Sequence, residues 1–303
     1  MQSITLTGTF TALVTPFTAD GDAVDFAALD ALVEAQIEGG VSGLVPCGTT
    51  GESPTLSDEE QVQVIKRVVE VAKGRVPVVA GTGSFSTKKT ISASLAALAA
   101  GADGVMVVMP YYNKPSQEGM REHVLAVARA VSCPIVLYNI PGRCVVDLAA
   151  DTTAQICERA PNVVALKDAT GNVLRCQELK RKLGERLTVL SGDDVLTLAF
   201  GAVGASGVIS VTSNVRPREV SEVTRALLAN DFARAKACHF ALVELHGAMF
   251  LEPNPAPAKA ALAAMGRMTA AVRQPLLPAS EATRSKVAEA LVRLDASFPK
   301  ATS

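Results

Sequence analysis

The chain has 303 residues, 49% of them hydrophobic and 4% aromatic, with no tryptophan. That length allows one large domain or a domain with a small appendage, and its core must be built mainly from aliphatic residues and alanine. The 29 Lys and Arg against 30 Asp and Glu leave a net charge of -1 with both signs scattered, which excludes a nucleic-acid footprint and a polybasic membrane patch.

A strand-then-helix alternation recurs roughly every 25–35 residues, the pattern of βα units on a parallel sheet. Residues 9–14 read as the first strand, ending at Thr15-Pro16-Phe17, and residues 25–38 as an amphipathic helix stopped by Gly39-Gly40. Residues 43–47 form the second strand, ending in Gly48-Thr49-Thr50-Gly51-Glu52. Ser57 then caps a helix, with Glu60 at the capping-box position. Strand three (76–80) ends in Gly81-Thr82-Gly83 before a helix over 87–100. Strand four (104–109) ends in Pro110-Tyr111-Tyr112 before a helix that starts after Pro115-Ser116. Strand five (134–138) ends in Asn139-Ile140-Pro141-Gly142-Arg143, and strand six runs from Val163 to Lys167 before turning at Asp168-Ala169-Thr170-Gly171-Asn172. Strand seven (187–190) ends in Ser191-Gly192-Asp193-Asp194, and strand eight (207–211) ends near Thr212-Ser213-Asn214.

Eight such units predict an α/β fold, a (β/α)8 TIM barrel, whose usual size is about 250 residues. Residues 1–230 are expected to be the catalytic barrel. Residues 231–303 are expected to be a small C-terminal helical domain, interrupted by Glu252-Pro253-Asn254-Pro255-Ala256-Pro257 and by Pro275 and Pro278, and packed directly on the barrel. An open doubly wound sheet competes, but it would carry a glycine fingerprint where Thr15-Pro16-Phe17 stands.

Active sites of barrels lie at the C-terminal ends of the strands. Those ends carry Thr49, Thr50, Tyr112, Tyr138, Arg143, Lys167 and Gly192. Period-two alternation puts Val163, Ala165 and Lys167 on one face, Thr49 in line with Val45 and Cys47, and Tyr138 in line with Pro134 and Val136. Lysine, hydroxyls and arginine would then converge on one mouth. A desolvated amine attacks a ketone to form an imine, a hydroxyl moves protons, and an arginine holds a carboxylate. The plain alternative is that Lys167 pairs with Asp168. Glu52 is expected to cap or pair locally.

No C-x-x-C pair occurs among Cys47, Cys133, Cys144, Cys157, Cys176 and Cys238, so free buried thiols in a reducing, cytoplasmic compartment are expected. His123, His239 and His246 show no ligand spacing and are expected to be structural or on the surface, with no metal site. The stretch 1–5 lacks the pattern of a signal peptide, and no apolar run is long enough to span a bilayer.

Several motifs together resemble the dihydrodipicolinate synthase / N-acetylneuraminate lyase family. They are Gly48-Thr49-Thr50-Gly51-Glu52, Pro110-Tyr111-Tyr112-Asn113, Tyr138-Asn139-Ile140-Pro141-Gly142-Arg143, Lys167-Asp168-Ala169-Thr170-Gly171-Asn172, Ser191-Gly192-Asp193-Asp194 and Glu252-Pro253-Asn254-Pro255. In order and spacing they extend from about Gly8 to Pro278. The resemblance implies a pyruvate-dependent class I aldolase that needs no cofactor. Lys167 would form the Schiff base and Tyr138 would donate and accept the proton at the imine. Thr49 would relay protons between Tyr138 and Tyr112, the latter supplied by a neighbouring subunit. Thr49 and Thr50 would hold the pyruvate carboxylate, the carbonyls of Gly192 and Ile209 would line the pocket, and Arg143 would bind the carboxylate of the second substrate. Arg143 resembles the synthase branch, which joins pyruvate to L-aspartate 4-semialdehyde on the route to diaminopimelate and lysine.

The resemblance also implies an oligomer, at least a dimer and most simply a homotetramer of two tight pairs. Lysine-inhibited synthases tend to carry two histidines after the Gly-Thr-Thr-Gly-Glu motif, and an Asn and a Glu after Gly-Thr-Gly. Asp58, Gln61, Phe85 and Lys89 stand at the matching positions, so weak or absent lysine feedback is expected. Competing readings are another pyruvate aldolase, for N-acetylneuraminate or a 2-keto-3-deoxy sugar acid, and a catalytically silent barrel that binds a keto acid.

Overall fold

Eight strands, each parallel to its neighbours, wind around a common axis in the computed structural model, which describes residues 4–298. They are β1 (Gly8–Ala12), β2 (Gly43–Val45), β3 (Val79–Gly81), β4 (Gly104–Val108), β5 (Ile135–Asn139), β6 (Val163–Asp168), β7 (Thr188–Ser191) and β8 (Gly207–Ser210). Their order is β2-β1-β8-β7-β6-β5-β4-β3, and a parallel bridge between Leu44 and Val78 joins the two ends of that series. This is the expected (β/α)8 barrel. Residues 1–3 and 299–303, within the expected leaderless start and C-terminal domain, lie outside the described residues.

Alternation along each strand sorts the aliphatic residues into two layers. Phe10, Ala12, Val45, Val79, Met106, Val136, Ala165, Leu190 and Ile209 fill the barrel interior. Their neighbours in sequence, such as Leu44, Val105, Val107, Leu137, Leu166 and Val208, face the surrounding helices. Where β1 meets β8, a Cβ on Gly207 would lie 1.9 Å from the Gly8 carbonyl oxygen, so only glycine permits that approach.

The helices are α1 (Phe26–Glu38), α2 (Asp58–Ala72), α3 (Thr87–Ala99), α4 (Gln117–Ala130), α5 (Pro141–Cys144), α6 (Ala150–Arg159), α7 (Val173–Leu183), α8 (Thr197–Ala202), α9 (Pro217–Leu228), α10 (Phe232–Ala248), α11 (Ala256–Ala264) and α12 (Glu281–Ser297). Ser57 accepts from Glu60 N while the Glu60 carboxylate accepts from Ser57 N, the capping box expected at α2. Cys238, Leu242, Leu262, Val287 and Leu294 of the C-terminal helices belong to the same apolar cluster as the outer face of the barrel, so these helices pack directly on it. Among the described residues no helix is long and apolar enough to cross a membrane.

Two departures from the expected alternation bear on the site. β2 stops at Val45 because Cys47 adopts a left-handed φ of 55°, and Cys47 packs outward while Val45 points into the barrel. In β6 the register against β5 shifts between Ile135 and Val136, so Val163 joins the outer layer and Val164 packs with the inner one. Val163 therefore does not share the face of Ala165 and Lys167.

Candidate active site

The parallel register places Lys167 of β6 beside Tyr138 of β5 and Leu190 of β7. Lys167 and Tyr138 both point inward, and the amine nitrogen lies 4.2 Å from the centre of the Tyr138 ring. Only 4% of Lys167 is exposed. Burial lowers its amine to about 8, against the pull of the Asp193 and Asp194 charges and with the push of Arg143. The ring face favours the ammonium modestly; desolvation outweighs it.

The neighbouring Asp168 points to the opposite face. Its Oδ2 accepts from Arg175 Nε at 3.2 Å, and its Oδ1 accepts from the Thr170 backbone N–H at 3.0 Å and hydroxyl at 2.6 Å. Lys167 has no ion-pair partner within 4 Å among the described residues, so the alternative pairing with Asp168 does not occur.

Thr49, in the loop after β2, lies beside the Tyr138 phenol and works to lower its pKa, but burial dominates and raises it well above the usual tyrosine range. The phenol therefore keeps its proton at neutral pH. Thr49, Tyr138, Ile140 and Arg143 line a cavity of about 200 Å³ at the C-terminal end of the strands. Arg143 stands exposed on α5, a single turn begun by Pro141, at the rim of that cavity. Phenol, hydroxyl and guanidinium thus meet at this cavity, while Lys167 lies behind the Tyr138 ring and is not among the residues that line it. Thr49 arrives through a loop kinked at Cys47 instead of a continuing strand.

The remaining expected residues occupy different settings. Thr50 is buried, and its hydroxyl accepts a hydrogen bond from Asn254 Nδ2 at 2.9 Å. Gly192 donates its N–H to the Asp168 carbonyl at 2.7 Å, and a Cβ there would come within 2.6 Å of Ala169 Cβ. Ile209 is buried in the inner layer on β8. Tyr112 is 89% exposed, with a left-handed φ of 69°, and Tyr111 lines the chain's own cavity in its place.

Glu52 pairs, but not locally: its partners come from the C-terminal part of the chain. Its carboxylate meets Lys259 at 2.5 Å and accepts the Arg273 backbone N–H at 2.9 Å. Lys259 is 0% exposed, sits 4.0 Å above the Phe17 ring and donates to the Ala271 carbonyl. Sequence reasoning missed Lys259 and gave Asn254 no role beyond its place in the Glu252-Pro253-Asn254-Pro255 motif. A lone lysine inside Ala256-Pro257-Ala258-Lys259-Ala260-Ala261 was the available signal for the first.

All six cysteines are free and buried. His123 and His246 are buried beside the Thr87 and Thr212 hydroxyls at 3.0 and 2.9 Å, and burial drops both to about 4, as structural histidines should behave. Asp58, Gln61, Phe85 and Lys89 line a separate cavity of about 310 Å³ that shares Ser53, Pro54 and Tyr111 with the first.

A family model described as the dihydrodipicolinate synthetase family matches residues 5–294. A relative from Sorangium cellulosum (strain So ce56), named 4-hydroxy-tetrahydrodipicolinate synthase, is 75% identical over 296 residues, 98% of each sequence. The solved structure of the chloride-inhibited dihydrodipicolinate synthase from Acinetobacter baumannii, complexed with pyruvate, matches with a TM-score of 0.94. Its identity is 44%, over 96% of this chain and 99% of that one. A monomeric dihydrodipicolinate synthase variant matches with a TM-score of 0.92 at 38% identity, over 95% of this chain and 97% of its own.

Proposed function

The chain belongs to the dihydrodipicolinate synthetase family, and from that premise we propose that Lys167 is the amine through which it captures pyruvate. The activity is a class I lyase reaction of lysine and diaminopimelate biosynthesis. Pyruvate condenses with L-aspartate 4-semialdehyde to give 4-hydroxy-tetrahydrodipicolinate and water.

The observation that carries the assignment of Lys167 is its burial against Tyr138 without a carboxylate partner. With its pKa near 8, roughly a tenth of the amine is neutral at pH 7. That fraction attacks the pyruvate carbonyl carbon. The tetrahedral adduct loses water when its hydroxyl is protonated, and Tyr138, protonated and beside Thr49, is the acid within reach. The iminium withdraws electrons, so a methyl proton leaves and the resulting enamine attacks the aldehyde carbon. Arg143, at the rim, holds the carboxylate of the incoming semialdehyde. The amino group of that substrate then displaces Lys167, closing the ring and freeing the enzyme.

Thr49 and Thr50 hold the pyruvate carboxylate, and the Gly192 and Ile209 carbonyls line the base of the pocket. Tyr112 serves the site of a neighbouring subunit; its exposure and outward-turned backbone support this reading. The assembly is then at least a dimer, and a tetramer of two tight pairs is its simplest closed form. Residues 1–230 carry the chemistry, and residues 231–303 form the helical domain that braces it. Six unpaired cysteines favour the cytoplasm as its location.

The test is incubation with pyruvate and borohydride, followed by mass analysis of the peptide containing Lys167. A covalent pyruvate-derived gain on Lys167 is expected. Turnover with an unmodified Lys167 would overturn the assignment.

A further inference from the structure

The loop that carries Thr49 and Thr50 is gripped from the C-terminal part of the chain at two points. Lys259 of α11 holds Glu52, and Asn254, just before α11, donates its side-chain N–H to Thr50 Oγ1 at 2.9 Å across 204 positions of sequence. Both ends of the second contact are buried. A threonine hydroxyl has one hydrogen to donate and two lone pairs. Asn254 occupies a lone pair, so the hydroxyl hydrogen must point elsewhere, and Thr50 makes no other side-chain hydrogen bond among the described residues. The amide oxygen of Asn254 is buried with no partner, so the bond to Thr50 is the one side-chain hydrogen bond Asn254 makes among the described residues.

We infer that Asn254 is a positioning residue for substrate binding: it fixes the Thr50 hydroxyl as a donor aimed at the keto-acid carboxylate. The inference rests on the reading that Thr49 and Thr50 hold that carboxylate. Asn254 touches no reacting atom. It acts by polarity, because a group that could only accept would draw the hydroxyl hydrogen to itself and present oxygen lone pairs to the anion. That predicts a loss confined to capture of pyruvate, since the amine, the phenol and Arg143 are untouched.

Asn254→Asp reverses the polarity at nearly constant shape, and Asn254→Ala leaves the hydroxyl free to rotate without placing a charge in the buried site. Steady-state kinetics of both, of Thr50→Val and of the double variant Thr50→Val/Asn254→Ala test the idea. Asn254→Asp is expected to raise KM for pyruvate about tenfold, the scale of one hydrogen bond to a charged group. Its kcat should stay within about twofold of wild type, with KM for the semialdehyde unchanged. Asn254→Ala should fall between, and the double variant should be no worse than Thr50→Val alone. If Thr50→Val raises KM for pyruvate but Asn254→Ala leaves it at the wild-type value, the inference is wrong while the carboxylate reading stands. If both kinetic constants and both substrates suffer together, Asn254 is only structural. If Thr50→Val itself leaves KM for pyruvate unchanged, the carboxylate reading fails and the inference fails with it.

Discussion

Asp168 and Arg175, seven positions apart, are joined side chain to side chain at 3.2 Å, and this pair keeps the carboxylate next to Lys167 on the far side of the strand. Arg175 also donates to the Leu148 carbonyl, so the guanidinium is anchored independently of Asp168. Lys167 is thereby left to face Tyr138 with no ion-pair partner among the described residues, acted on only by the more distant charges of Asp193 and Asp194.

Replacing Arg175 by leucine leaves a fully buried carboxylate unpaired. The expected loss of stability is about 3–5 kcal/mol, read as a shift in the urea midpoint. A loss below 1 kcal/mol would show that Asp168 finds another partner.

The dependence of kcat/KM for pyruvate on pH reports the free enzyme's amine. It should rise as pH increases through the region near 8, where Lys167 deprotonates, and level off above it. A rate already flat from pH 6 to 9 would mean that the amine titrates elsewhere.

Stability carries the same signature with a definite sign. The Lys167 amine falls from 10.5 to about 8 on folding, so below 8 the charge is present in both states and its burial penalty is complete. Between 8 and 10.5 the folded state sheds its proton first and the penalty fades. Lys167→Met, inactive, should therefore be more stable than wild type at pH 7 by roughly 2–3 kcal/mol. That advantage should vanish as pH approaches 10.5. An equal gain at pH 7 and pH 10.5 would point to packing instead of charge.

Tyr112→Phe should lower kcat by about 10²-fold, the scale of a lost proton-transfer partner. Mixed oligomers of Tyr112→Phe and Lys167→Ala subunits should regain activity, because a Lys167 site can borrow Tyr112 from its partner. Failure to regain any would place Tyr112 outside the relay.

Lysine at micromolar concentration should leave turnover unchanged. Lys89 carries its cation at the wall of the cavity where a ligand's amino group would need an acceptor, with its nitrogen 5.8 Å from the Phe85 ring centre. Strong inhibition at that concentration would overturn this expectation.

The eight βα units were readable because each strand is a short aliphatic run bounded by turn residues, and because caps such as Ser57 with Glu60 act within a few residues. Strand ends were less readable. Nothing local in Pro46-Cys47-Gly48 announces that Cys47 turns left-handed, nor does Val163-Val164-Ala165 announce a register shift, since both depend on the neighbouring strand.

The sequence by itself determined the architecture and the chemical inventory: a barrel of aliphatic strands with a lysine, a tyrosine, threonines and an arginine at their ends. Only the tertiary structure decided which charges neutralise one another. Asp168 could have paired with Lys167, and Glu52 could have faced substrate. Instead Arg175 and Lys259, contributed by α7 and α11, take up both carboxylates. The physical reason is that periodicity reflects burial averaged over a face, whereas an ion pair depends on a few ångströms between groups that the chain separates by up to 207 positions.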